Sequence, residues 1–159
     1  SEIRTLSYLL HPPMIDDVGL ASAARWLVDG IAQRSGIQVS LDAPGDMARL
    51  PAEVEIGLFR VLQEGLTNVH RHSGASAANV LIRQEARQII LEIKDNGRGI
   101  RQEALSRFDL TGAGMGVGLS GMRERVRELG GRMKVKADSQ GTSLLIAIPL
   151  PLECAPTYV

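Results

Sequence analysis

Glycine at four alternate positions, Gly112, Gly114, Gly116 and Gly118, constrains the fold of this chain more than any other feature. A helical apolar pattern over residues 119–129 follows this run. Glycines cost conformational entropy, which a purely structural loop would avoid. Bare backbone can approach a ligand closely, and the following helix offers unpaired N–H groups and a positive dipole end. The run therefore predicts an anion site, with phosphate the expected anion; a flexible loop without a ligand is the alternative.

Two common phosphate-binding patterns do not fit this run. A dinucleotide-binding turn needs a preceding parallel strand, whereas residues 101–111, directly upstream, are polar. The Walker pattern needs Gly-Lys-Ser or Gly-Lys-Thr, and neither occurs in the sequence. The other parts of the site must therefore be found in different segments.

A helical pattern over residues 51–72 presents an apolar side and a chemical side. The apolar side comprises Leu58, Leu62, Leu66 and Val69. Glu64, Asn68 and Arg71 fall within an arc of about 60° on the opposite side. Carboxylate and amide oxygens are hard ligands suited to Mg²⁺, and an Arg can contact a terminal phosphate. A solvated polar face gives the same pattern, so this stripe alone does not decide between them.

Alternating apolar and β-branched residues predict a sheet with two hairpins. The predicted strands are residues 37–41, 79–84, 88–94, 134–137 and 142–148. A further helix is predicted over residues 17–34, and its apolar face comprises Leu20, Ala24, Leu27 and Ile31. These elements alternate along a single chain without an internal repeat, which predicts a mixed α/β domain.

Asp95 lies where the second strand of the first hairpin ends, and Asn96, Gly97, Arg98 and Gly99 follow it. An ionised Asp only accepts hydrogen bonds, so it would select a donor such as the amino group of adenine. Taken alone, an Asp-Asn-Gly sequence is also an ordinary turn.

Charge and composition exclude several classes of protein. The 18 basic and 18 acidic residues balance to a net charge of +0, which gives no electrostatic basis for binding nucleic acid or an anionic membrane. The single Cys cannot form an internal disulfide and fits a reducing compartment. No apolar run reaches the ~18 residues that a membrane helix needs. We expect a cytoplasmic domain that contacts neither nucleic acid nor membrane directly, although its parent protein could be membrane-anchored.

In this order, the motifs resemble the ATP-binding catalytic domain of sensor histidine kinases, within the GHKL (Bergerat-fold) ATPases. The N box and the three glycine boxes correspond to residues 62–73, 95–100, 114–119 and 141–142. Residues 121–126, which read Gly-Met-Arg-Glu-Arg-Val, are similar to the subgroup that partners NarL-type response regulators. The resemblance covers nearly the whole chain.

The resemblance implies an α/β two-layer sandwich of the Bergerat type, with a mixed, mostly antiparallel sheet and helices on one face. Residues 1–13 would be the tail of a dimerisation helix and its linker, residues 14–150 the ATP-binding catalytic domain, and residues 151–159 a C-terminal tail. The phosphoacceptor histidine would lie on a dimerisation domain outside this chain, so we do not expect the chain to autophosphorylate alone.

ATP and Mg²⁺ are the cofactors that the resemblance implies. Asn68 and Glu64 would be the catalytic and metal-binding residues, and Asp95 would hydrogen-bond the adenine. The other residues expected to bind the nucleotide are Arg71, His72, Gly97, Gly99, Gly114, Met115, Gly116, Val117, Gly118, Leu119 and Thr142. Residues 101–113 would form a short lid, anchored by Phe108.

The implied function is transfer of the ATP γ-phosphoryl group to a histidine of the dimerisation domain, with a NarL-type response regulator as partner of the parent protein. Three alternatives stay open at this point. The chain could be an ATP hydrolase with Glu64 as its base, an anti-sigma-type serine kinase, or a non-catalytic nucleotide-sensing module.

Overall fold

A computed structural model describes residues 13–111 and 116–151. Within these ranges the helices are α1 (Pro13–Ser35), α2 (Ala52–Asn68), α3 (Gln102–Thr111) and α4 (Gly116–Glu128). The strands are β1 (Gln38–Asp42), β2 (Ala77–Glu85), β3 (Gln88–Asp95), β4 (Arg132–Asp138) and β5 (Gly141–Pro149). The dimerisation-helix tail and the C-terminal tail predicted from the sequence lie outside this range, except for one residue each. No helix of the described ranges is long and apolar enough to cross a bilayer.

The five strands form one mixed sheet in the order β1-β2-β3-β5-β4. β1 pairs with β2 in parallel, and the other three pairs are antiparallel. A parallel pair needs a long crossover connection, and α2 provides it between β1 and β2. The two predicted hairpins are the antiparallel pairs β2–β3 and β4–β5, so the predicted sheet is confirmed.

One face of the sheet and all four helices share a single apolar core. Two cross-strand rows of buried residues lie on that face, Val80–Ile93–Leu144 and Ile82–Leu91–Ile146. The neighbouring row on the other face is polar and comprises Asn79, Lys94, Ser143 and Lys136. Successive side chains of a strand point to opposite faces, so the helices cover only one of them. The predicted two-layer sandwich is therefore confirmed.

Helix α1 is broken at Gly19, where the backbone has φ 82° and ψ 178°. The sequence pattern did not predict the hydrogen bonds and the salt bridge that hold this break. The buried carboxylate of Glu55, at the start of α2, accepts the backbone N–H of Leu20 at 3.0 Å and forms a 2.9 Å salt bridge with Arg49. Arg49 also donates to the carbonyl oxygens of Ile15 and Asp16. A buried charge needs such partners, so the network fixes the path of α1 onto α2.

Helix α3 occupies residues 102–111 of the polar stretch that the resemblance interprets as a lid. It buries Leu105 and Phe108 in the core, and the predicted anchoring role of Phe108 agrees with its 1% exposure. Helix α4 begins at Gly116 rather than at residue 119, so Gly116 and Gly118 lie in its first turn. Glycine is a poor helix former, but packing overrides this weak preference.

Candidate functional site

A cleft of about 430 Å³ lies between α2, the loop after β3, the start of α3 and the first turn of α4. Most of the residues that the sequence singled out line it: Glu64, Asn68, His72, Asp95, Gly99, Gly118, Leu119 and Thr142. Apolar side chains complete the wall, among them Ile93, Ile100 and Leu144. Concave sites of this size, with a few convergent polar groups, are typical of small-molecule binding.

The α2 wall presents Glu64 and Asn68, which are separated by one helical turn. Beyond Asn68 the backbone forms a π-helical turn, Val69–Ser73, which ends at the left-handed Gly74. A π turn takes about one residue more per turn than an α-helix, which changes the side chains that reach the cleft. His72 lines the cleft, whereas Arg71 is exposed and is not among the lining residues. The phosphate contact predicted for Arg71 stays a prediction.

The carboxylate of Asp95 is held in place at the end of β3. Its Oδ1 accepts the backbone N–H of Gly97 at 2.8 Å and that of Thr142 at 3.3 Å. Within the described part of the chain, Oδ2 accepts no hydrogen bond, and Asp95 is half-buried in the cleft wall. Asp95 can therefore accept a hydrogen bond from a ligand without giving up the two bonds that orient it.

The glycines around Asp95 allow close contacts between backbone segments. A Cβ atom on Gly97 would overlap the carbonyl oxygen of Ser73, and one on Gly99 would overlap that of Asp138. Gly99 also has φ 76°, a conformation that favours glycine. Gly99 lines the cleft, whereas Gly97 is buried beneath the loop and does not. The nucleotide contacts predicted for these two glycines stay predictions.

Asn96, for which the sequence suggested no role of its own, fixes the same loop to the sheet. Its Oδ1 accepts the backbone N–H groups of Ser76 and Ala77 at 2.9 and 3.0 Å. Its Nδ2 donates to Oγ of Ser76 at 2.9 Å. An Asn between an Asp and a Gly is a signal for such side-chain-to-backbone bonds, but their partners lie 19 and 20 positions away and cannot be read from the sequence.

The first turn of α4 lies against Glu64. A Cβ atom on Gly118 would overlap Oε1 of Glu64, so the carboxylate approaches the helix where only a glycine leaves room. The N-terminus of a helix carries partial positive charge, which favours an anionic group there. Gly114 and Met115 lie outside the described residues, as does the side chain of Val117, and their predicted contacts stay predictions.

The donor set fits a magnesium ion with its phosphate ligands. Glu64 and Asn68 supply one carboxylate and one amide oxygen to the same cleft. Mg²⁺ keeps several waters and commonly takes one or two protein oxygens together with substrate phosphates. No group of three or more His, Cys, Asp or Glu that could hold a metal occurs in residues 13–111 and 116–151. Such a set fits a metal that arrives with a nucleotide better than a resident structural metal.

Residues 53–152 match the family described as histidine kinase-, DNA gyrase B- and HSP90-like ATPases. The chain belongs to this ATPase family. The matched segment contains α2, the loop after β3, α3, α4 and β5, and therefore every wall of the cleft. This match confirms the family that the N box and the glycine boxes indicated.

Two relatives of this ATPase domain are sensor kinases. The sensor histidine kinase MctS of Rhizobium johnstonii is 36% identical over 152 residues, which are 93% of this chain and 31% of that protein. The histidine-protein kinase/phosphatase DegS of Brevibacillus brevis is 36% identical over 155 residues, 96% of this chain and 38% of that protein. The chain thus spans about a third of the length of these relatives.

A solved structure agrees with the architecture of this ATPase domain. The histidine kinase domain of the Erythrobacter litoralis EL346 blue-light activated histidine kinase superposes with a TM-score of 0.67 at 26% identity. The similarity covers 82% of this chain and 61% of that one. The catalytic domain of such a kinase and the chain described here share one fold.

Proposed function

We propose that this chain binds Mg²⁺·ATP in the cleft and is the catalytic part of a sensor histidine kinase. The observation that carries the proposal is that one cleft is lined both by Asp95, which accepts the N–H of Thr142, and by Glu64 and Asn68 of α2. A hydrogen-bond acceptor suits the purine and a pair of oxygen ligands suits the metal and phosphates. Membership of the ATPase family, together with kinase relatives, supports the same assignment.

At the purine end, Oδ2 of Asp95 would accept a hydrogen bond from the adenine amino group. The two backbone N–H groups on Oδ1 hold the carboxylate in one orientation. Thr142, whose N–H is one of these donors, would support the same end of the purine. Because an ionised Asp cannot donate, guanine, which presents a carbonyl oxygen at the corresponding position, should bind poorly.

At the phosphate end, Asn68 and Glu64 would hold Mg²⁺, which when bound neutralises phosphate charge. The first turn of α4 faces the same volume through Gly118, and its N–H groups would donate hydrogen bonds to phosphate oxygens. His72 also lines the cleft and would donate to a phosphate as well. The contacts of Arg71, Gly114, Met115, Gly116 and Val117 belong to the same proposal.

In the proposed reaction, the bond between the γ-phosphorus and the β–γ bridging oxygen breaks, ADP leaves, and a phosphorus–nitrogen bond forms on a histidine of the dimerisation domain. In phosphoryl transfer the protein mainly positions the reactants and stabilises charge. Glu64 would orient the incoming imidazole. A NarL-type response regulator would then receive the phosphoryl group from the parent protein, in the cytoplasm.

Calorimetric titration of the chain with Mg²⁺·ATP tests the nucleotide half of the proposal. Asp95→Ala should weaken binding at least about tenfold, because the site loses a charged acceptor. Asp42→Ala is the matched control, since Asp42 is exposed at the sheet edge on β1, outside the cleft. The proposal is wrong if the unaltered chain does not bind ATP, or if both variants bind it equally well.

Hydrolysis is the second candidate function, because the carboxylate of Glu64 lies in the cleft, where it could also activate water. Phosphate release by the chain alone, compared with Glu64→Ala, separates the two functions. Appreciable turnover that Glu64→Ala abolishes would favour the hydrolase. Binding without turnover favours the kinase.

A further inference from the structure

The C-terminal end of helix α3 is held by Arg123, a residue of α4. Nη1 of Arg123 donates to the carbonyl oxygen of Phe108 at 2.6 Å, and Nη2 to that of Asp109 at 3.4 Å. The last carbonyls of a helix have no partner within it, and a cation there also complements the helix dipole. Arg123 therefore caps α3 from a neighbouring helix.

The same guanidinium also contacts the side chain that α3 buries most deeply. Its Cζ lies 5.2 Å from the centroid of the Phe108 ring, and Phe108 is only 1% exposed. A guanidinium over an aromatic face is attracted by the ring quadrupole, more strongly where water is excluded. Arg123 thus contacts both the backbone and the ring of Phe108.

The other end of α3 is connected to the sheet. Nε2 of Gln102 donates to the carbonyl oxygen of Ala137, on β4, at 2.9 Å. Between the two attachments, Ala104 of α3 lines the cleft. Helix α3 therefore forms part of the cleft wall and is held at one end by β4 and at the other by α4.

We propose that Arg123 is a positioning residue that holds α3 against the cleft and slows the release of nucleotide. The proposal rests on the proposed binding of ATP in this cleft. Arg123 does not line the cleft, so it acts through α3 rather than on the ligand. It also connects two walls of the site, because the same helix α4 presents Gly118 and Leu119 to the cleft.

This role accounts for the sequence Gly-Met-Arg-Glu-Arg-Val at residues 121–126. None of these residues lines the cleft, so direct contact with the nucleotide does not explain the motif. Met122 and Val126 are buried in the core and orient α4 on the sheet. Arg123 then projects toward the end of α3. An Arg suits the position because its planar fork can donate to two carbonyl oxygens while stacking on a ring, whereas a Lys offers a point charge.

Hydrogen exchange measured by mass spectrometry, without nucleotide, tests the attachment itself. Arg123→Ala should speed exchange of the α3 amides about tenfold, which is the loss of one strong charge-assisted hydrogen bond, while α2 exchanges as before. Arg123→Lys should give an intermediate rate. Arg127→Ala, an exposed position on the same helix, is the matched control and should leave the α3 rate unchanged. Unchanged α3 exchange in Arg123→Ala overturns the proposal.

Stopped-flow release of N-methylanthraniloyl-ATP tests the consequence for the ligand. Release should be about tenfold faster in Arg123→Ala, intermediate in Arg123→Lys and unaltered in Arg127→Ala. Faster exchange of α3 with an unchanged release rate would contradict the role in nucleotide retention. If the unaltered chain does not bind the nucleotide, the proposed function is wrong and the retention role with it, and the exchange data still decide whether Arg123 holds α3.

Discussion

The carboxylate of Glu64 lies against the α-carbon of Gly118, at the position where any other residue would place its Cβ atom. Helices α2 and α4 therefore approach each other closely at the proposed catalytic acid. Towards the other end of this pair, a Cβ on Gly57 of α2 would lie 2.5 Å from Cδ1 of Leu129, the residue that follows α4. Glycine thus sets the spacing of α2 and α4 from both sides, and a methyl group at position 118 should displace Glu64.

Gly118→Ala should separate the geometry of Glu64 from the stability of the fold. Ala has the higher helix propensity, and the carboxylate can rotate away, so we expect the free energy of unfolding to be unchanged or slightly raised. Affinity for Mg²⁺·ATP should fall about tenfold, because the displaced carboxylate leaves the metal end of the cleft. Calorimetry with ATP and urea denaturation measure the two quantities.

The control for that change is Gly121→Ala, one turn further along α4. Position 121 is exposed, and a Cβ there would contact nothing within 4 Å. This variant should raise the free energy of unfolding by about 0.5–1 kcal/mol and leave ATP affinity unaltered. Equal ATP affinity in both variants would mean that the position of Glu64 does not matter for binding.

Gly99→Ala should destabilise the fold through a backbone collision. Gly99 has φ 76°, and a Cβ there would overlap the carbonyl oxygen of Asp138, which cannot rotate away as a side chain could. We expect a loss of roughly 2–4 kcal/mol, from the strained φ and the displaced β4–β5 turn together. Urea denaturation measures the loss.

Gly36→Ala isolates the part of that loss due to the dihedral angle. Gly36 has a similar φ of 74°, but a Cβ there would meet nothing within 4 Å. Its substitution should therefore cost only about 1 kcal/mol. If both variants lose the same stability, the contact between the Asp95 loop and the β4–β5 turn contributes nothing.

Arg60 and Arg125 form a like-charged pair between α2 and α4. Burial lowers the pKa of the Arg60 guanidinium, and the nearby charge of Arg125 lowers it further. A base whose pKa is lower in the folded state is destabilising while it stays protonated, so the cost is fully present at neutral pH. Arg125→Gln should therefore raise the midpoint of urea denaturation.

The gain from Arg125→Gln should shrink in salt. The screening length falls from about 10 Å at 0.1 M to about 3 Å at 1 M ionic strength, so high salt removes most of the repulsion in the unaltered chain as well. Denaturation at both salt concentrations measures this difference. A gain that is the same at both would point to packing or helix propensity instead of charge.

Much of this molecule follows from local sequence. Alternation in the two hairpins predicted all four of their strands, because one face of each is buried and the period of a strand is two. The apolar stripe Leu58, Leu62 and Leu66 predicted the buried side of α2 for the corresponding helical reason. The order of the N box and the glycine boxes identified the ATPase family.

Other features could not be predicted from local pattern, because their partners are distant in the sequence. Glu64 and Asn68 line the cleft, but Arg71, in the π turn at Val69–Ser73, does not. The sequence over this turn shows ordinary helical periodicity, so it gave no sign of the change. The beginning of α4 at Gly116 contradicts local propensity.

The amino-acid sequence determined the strands, the helix faces and the chemical groups of the cleft, since these depend on spacings of two to four residues. Only the tertiary structure decided where Arg123 donates, 15 residues away, and which residues hold the carboxylate of Asp95, one of them 47 residues away. Hydrogen bonds and close contacts depend on ångström-scale geometry between separate elements, and periodicity along the chain carries no information about that geometry.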